Sequence, residues 1–264
     1  MQVFSTTQSC LISGSYTNRQ LLNTVEGFTF QKFVELSSKF LKTGRSVWFF
    51  NGNMTSEKVK EIVLTTVETI GLKSIPKDEL CQDRVISLPE NSETSVEFNA
   101  LKNEESNSAI VSFYQDSPKK NLMHGLLHEV VYQILGQPAF DFLRTKEQLG
   151  YIVFCRMFNY RGILGGGFIV QSSDRSCEFV ISKIREFFDV YKEKFQNLTN
   201  EEFETAVNAV IMTKKEIDIN LATETVRLFR EIERHDYEFD VREKQIEGLT
   251  KMIDSTTPDY YEDC

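Results

Sequence analysis

The sequence predicts an α+β protein of two layers, an antiparallel sheet with helices packed on one face. Two β-rich runs, GYIVFCRMF and GGGFIVQSS, flank a Tyr160-Arg161-Gly162 turn, which reads as a hairpin. Further β-branched and aromatic runs precede them, and helical periodicity is grouped before and after the strands.

In chain order, Gly27 to Lys42 places Phe30, Phe33, Val34, Phe40 and Leu41 near helical spacing, with Gly44 as a stop. Ser46 to Asn51 (SVWFFN) predicts a strand and Gly52-Asn53 a tight turn. Thr55 or Ser56 then caps a helix carrying Val59, Ile62, Val63, Val67 and Ile70. The mixed-charge stretch from Leu72 to Asp83, with Pro76, reads as a domain boundary, giving segments 1–80 and 81–264. Arg84 to Leu88, Thr94 to Leu101 and Ser108 to Gln115 predict consecutive antiparallel strands. Pro118 is expected to open a helix through Leu122, Leu126, Val130 and Ile134 that Gly136 and Pro138 close, and AFDFLRTKEQ a second helix. After Asp174 the pattern is helical: Phe179, Val180, Ile184, Phe187, Phe188 and Tyr191 form one stripe, while Thr199 with Glu202 and Asp240 with Glu243 resemble capping boxes.

Composition narrows the function. The 264 residues carry 30 Lys plus Arg against 39 Asp plus Glu, a formal charge of −9, so wholesale phosphate-backbone binding is not expected. No apolar run approaches the roughly 18 residues of a membrane helix, and no leader pattern opens the chain. Five scattered cysteines without a C-x-x-C pair suggest free thiols in a reducing cytosol. Asn53 and Asn197 head glycosylation triplets that, without a leader, read as chance matches. Gly165-Gly166-Gly167 lacks the G-K-[ST] of a phosphate loop and predicts a bulge or close backbone approach.

The histidines are His124, His128 and His235. His124 and His128 share a helical face, but the residues between them are Gly125, Leu126 and Leu127, with no glutamate to activate a metal-bound water. They are expected to be partly exposed helical histidines, the alternative being a standalone zinc enzyme built on the pair. The stretch LRTKEQLGYIV places Arg144 and Tyr151 at one helix-strand junction, with donors suited to a carbonyl or oxyanion. Chemistry alone favours a structural Arg144 paired with Glu147 or Asp141 and a Tyr151 half-buried at a sheet end.

RTKEQLGYIVF resembles the signature of the C-terminal half of the insulinase family of zinc metallopeptidases, and FFNGNMTSEKV, GGGFIVQSS and LTNEEFETAV extend the resemblance over most of the chain. It implies the end of a third insulinase-like domain in 1–80, opening within a helical region, and a fourth domain in 81–264 that stops short of its last strand. In that family two homologous halves enclose a chamber, and the N-terminal half binds zinc through H-x-x-E-H and a downstream Glu. Here Leu126, Glu129 and Val130 occupy the corresponding positions, so the resemblance implies a degenerate half without metal. It further implies that Arg144 and Tyr151 hold the scissile carbonyl and the tetrahedral intermediate. The expected partners are an N-terminal catalytic half, fused or in trans, and peptide substrates, with room for a homodimer and neither nucleic acid nor membrane. The expected setting is cytoplasmic, with zinc in the full-length enzyme, none in this fragment, and no activity of the fragment alone. A rival reading is a structural or peptide-binding subunit, since the same fold forms non-catalytic core proteins of mitochondrial complexes. Both donors being retained argues against it.

Overall fold

The computed structural model describes residues 2–40, 42–80, 84–101, 104–118, 121–234 and 236–254. Local signals account for most of the helices. Thr17 caps α2 (Asn18–Glu26) in a reciprocal box with Gln20, Thr55 caps α4 (Ser56–Ile70), and Thr199 and Glu202 form the expected box on α7 (Asn200–Lys215). The remaining helices are α1 (Gln2–Leu11), α3 (Phe30–Phe40), α5 (Leu122–Phe140), α6 (Cys177–Gln196), α8 (Leu221–Glu233) and α9 (Val241–Asp254). Just ahead of α9, Asp240 accepts from the Lys244 ammonium at 3.1 Å in place of the expected box with Glu243.

Among the described residues the main sheet has three antiparallel strands, β3 (Ser108–Pro118), β4 (Ile152–Tyr160) and β5 (Ile163–Ser172), in the order β3-β5-β4. Its two faces follow the alternation of side chains. Ile110, Val153, Cys155, Phe168 and Val170 meet α5 and α6 through Ala139, Leu143, Ile184 and Phe187. On the opposite face Val111, Phe113, Phe158, Tyr160 and Ile169 meet Leu11 and Ile12 at the end of α1, together with Val85 and Leu88. A second core joins α5 to α7 and α9 through Leu126, Val130, Val207, Val210 and Leu249. The triple glycine is a close approach, as expected: a Cβ on Gly166 would lie 1.9 Å from the Tyr132 ring of α5.

Several predicted elements differ. Residues 46–51 form no strand; Trp48 stacks on Phe50, and Phe49 packs on Phe229 and Phe239 instead. The pairing in that region is a two-residue parallel ladder between β1 (Thr43–Gly44) and β2 (Lys73–Ser74). Residues 84–88 contribute a single bridge, Val85 to Ile12, and residues 94–101 none. β-propensity describes fit to a pleated surface and makes no strand without a partner edge. Pro118 ends β3 rather than opening α5, whose cap is Asn121. Nor do Gly136 and Pro138 close that helix. It continues to Phe140 and widens into a π-helical turn, Asp141–Lys146, because buried Ala139, Phe142 and Leu143 offset the ~3 kcal/mol cost of an internal proline.

α2 and α3 contain no buried residue, and Phe30 and Phe40 stand out from α3. No described helix is long and apolar enough to cross a membrane.

Candidate functional site

The site sits where α5 turns into β4. The π turn carries Arg144 on its outer side while its neighbours Phe142 and Leu143 enter the core. Such widened turns are rare and often mark functional positions. The chain then reverses over four residues. Glu147 N–H donates to the Phe142 carbonyl at 2.9 Å, Gln148 takes a left-handed φ of +52°, and Leu149 N–H donates to the Leu143 carbonyl at 3.0 Å. Gly150 follows flat against β5, where a Cβ would fall 1.9 Å from the Gln171 carbonyl oxygen. The junction therefore places Tyr151 just ahead of an edge strand.

Arg144 and Tyr151 are brought together. The guanidinium carbon lies 4.8 Å from the Tyr151 ring centroid and 4.9 Å from that of Phe140, one helical turn earlier. Tyr151 is 84 % exposed, not half-buried, and β4 is an edge strand among the described residues. The default pairing of Arg144 is not what forms. Glu147 is taken by Lys183 of α6 at 2.9 Å, and Asp141 accepts from the Gln137 amide at 2.9 Å. No described carboxylate forms an ion pair with Arg144, whose partly exposed side chain lies beside the exposed Tyr151 phenol. An incoming carbonyl or oxyanion could accept from both.

The sequence reading missed Phe140 and Lys183. Phe140 is legible in retrospect from its i, i+4 spacing to Arg144. Lys183 lies on another element and left no local signal.

The histidine pair lies on α5 and is partly exposed, as expected. His124 and His128 keep 12 % and 14 % of their side chains exposed, and their Nε2 atoms lie 3.2 and 3.4 Å from one carboxylate oxygen of Asp116. Burial lowers the His128 pKa below its ordinary value, against the opposing pull of Asp116. His235 lies outside the described residues.

The residues at the would-be ligand positions do not fit zinc. Leu126 and Val130 are sealed in the core with α7 and α9, and Glu129 is held by the Lys214 ammonium at 2.8 Å. Among the described residues no group of three His, Cys, Asp or Glu side chains could hold a metal ion.

Comparison with known proteins gives this geometry a family. A family model described as "PQQ synthase PqqF-like, C-terminal lobe domain 4" matches residues 130–229. Human nardilysin is 32 % identical over 243 residues, 91 % of this chain and 20 % of nardilysin. Insulin-degrading enzyme of Drosophila melanogaster is 25 % identical over 256 residues, 95 % of this chain and 26 % of that protein. The crystal structure of pitrilysin superposes with a TM-score of 0.74 at 22 % identity, covering 95 % of this chain and 26 % of pitrilysin, which supports the α+β fold. The chain thus spans about a fifth of nardilysin's length. From these matches and the fold they share, the chain belongs to the insulinase family and corresponds to part of its C-terminal half.

Proposed function

We propose that this chain is the zinc-free C-terminal part of an insulinase-type metalloendopeptidase, which helps enclose peptide substrates and presents Arg144 and Tyr151 to the scissile carbonyl. The observation that carries it is an exposed phenol beside a guanidinium that no described carboxylate engages. The relatives are zinc metalloproteases, and metal chemistry belongs to the remainder of the parent protein. Here the protein groups supply donors for an oxygen that gains charge in the transition state, worth about 3 kcal/mol for one well-placed donor. The exposed phenylalanines of α3 support reading residues 1–80 as the end of a larger domain whose other parts cover them.

The test is Tyr151→Phe in the full-length parent protein. It removes one hydroxyl and keeps the ring that stacks on Arg144. The expected result is a fall in kcat with KM little changed. Wild-type kcat would overturn the assignment and favour a structural or peptide-binding role.

A further inference from the structure

We propose that Lys183 is a positioning residue for the Arg144 and Tyr151 pair, acting through Glu147. The inference rests on the reading of that pair given above.

Glu147 stands three residues after Arg144 and four before Tyr151, at the point where the π turn gives way to the reversal into β4. The reversal contains a non-glycine residue with positive φ, Gln148, a conformation that persists only where its surroundings fix it. Two backbone hydrogen bonds and the contact of Gly150 with β5 fix the inner side. From outside, the fixing group is Lys183. Its ammonium lies 2.9 Å from Glu147 Oε2, with 20 % and 15 % of the two side chains exposed.

Lys183 is itself held before it meets Glu147. Glu186, one turn along α6, lies 2.7 Å from the ammonium, and the Phe179 ring centroid, one turn back, is 5.7 Å away. Hydrogen bonds to Glu186 first and Glu147 second raise the lysine's pKa, so the charge persists throughout the neutral range. Lys146 also nears Glu147, at 3.8 Å, but is 63 % exposed and is the looser partner. α6 in turn is anchored through Val180, Ile184 and Phe187 in the same core as Leu143 and Leu149. The Lys183–Glu147 pair thus ties the segment between Arg144 and Tyr151 to a packed helix, and displacement of a positioned group by about 1 Å is enough to cost on the order of a hundredfold in rate.

The experiment compares Lys183→Met, Glu147→Gln, their combination, Lys183→Arg and Tyr151→Phe in the full-length parent protein, following kcat, KM and Tm. Each single substitution of the pair is expected to lower kcat by about tenfold or more while KM stays within about threefold. The double variant should be no worse than the poorer single one, because both break the same contact. Lys183→Arg should restore most of the loss, and backbone exchange should accelerate over residues 141–151 in Lys183→Met. Wild-type kcat in Lys183→Met or in the near-isosteric Glu147→Gln, alongside a loss in Tyr151→Phe, would overturn the positioning role alone. A silent Tyr151→Phe would overturn the site reading, and the brace with it.

Discussion

Arg144 holds its guanidinium carbon 4.8 Å from the centroid of the Tyr151 ring, although the two residues belong to different elements, a π turn and the approach to a strand. A planar guanidinium can stack on the ring and still direct N–H groups outward, whereas an ammonium is a compact point charge. Arg144→Lys in the full-length parent should therefore lower kcat/KM by an amount equivalent to about 2 kcal/mol, while Tm stays within a few degrees because Arg144 is only partly buried and forms no ion pair with a described carboxylate. Steady-state kinetics with thermal melts would check it, and unchanged kcat/KM would show that charge alone suffices.

The parts of the fold legible in the sequence were those set locally. Thr55 and Thr199 announced their helices because a cap is a contact between residues three apart. The hairpin of β4 and β5 was visible because its turn and both strands are contiguous. Residues 46–51 and 94–101 misled, since their β-forming composition finds no partner edge, and Pro138 misled because buried neighbours outweigh its cost. Arg144 and Tyr151 came from a run of eight residues, but that the two side chains stack with the Tyr151 ring exposed, and that Lys183 pairs with Glu147, depends on tertiary placement that no local pattern encodes.

Placing histidines at Leu126 and Val130, the positions that the resemblance aligns with metal ligands, should not create a metal site. Leu126 and Val130 are fully buried, and the Leu126 side chain abuts Gly248 of α9. An imidazole at either place would bury polar atoms without partners, so Leu126→His should destabilise the chain by about 3 kcal/mol. Denaturant unfolding and a zinc titration of the Leu126→His/Val130→His variant would check this. A stable variant that takes up one zinc would refute it.

The half-buried His128 should make stability fall in mild acid. Desolvation lowers its folded pKa below the ordinary 6.5, so in the window just below 6.5 the unfolded chain binds more protons than the folded one. Stability is then full above 6.5 and declines as pH falls from there towards the folded pKa. The groups around it are Asp116 of β3 and His124 and Tyr132 of α5, with Tyr114 of β3 and Cys155 of β4 beside Tyr132. Of these Asp116 alone opposes the shift, and burial outweighs it. Unfolding free energy measured from pH 7.5 to 5.5 should flatten in His128→Gln relative to wild type. Identical pH profiles would mean that the histidine is not held in its neutral form.

Gly150 is the position where the site depends most directly on the backbone. A Cβ there would fall 1.9 Å from the Gln171 carbonyl oxygen and 3.2 Å from the Ser172 Cα, both parts of β5 that cannot rotate away. Gly150→Ala must therefore push the start of β4 off its neighbour, at a cost of about 2 to 3 kcal/mol in stability. Gly162 is the control: its φ is +83° but a Cβ would meet open space, so Gly162→Ala should cost only about 1 kcal/mol through backbone strain. Because Tyr151 follows Gly150 directly, the shift should also move its hydroxyl away from the Arg144 donors, and activity in the parent protein should fall by more than the loss of folded protein explains. Chemical denaturation of both variants, paired with kcat per folded molecule, separates the two effects. Equal stability of Gly150→Ala and Gly162→Ala would show that β5 yields to the extra methyl and that the junction is not fixed from this side.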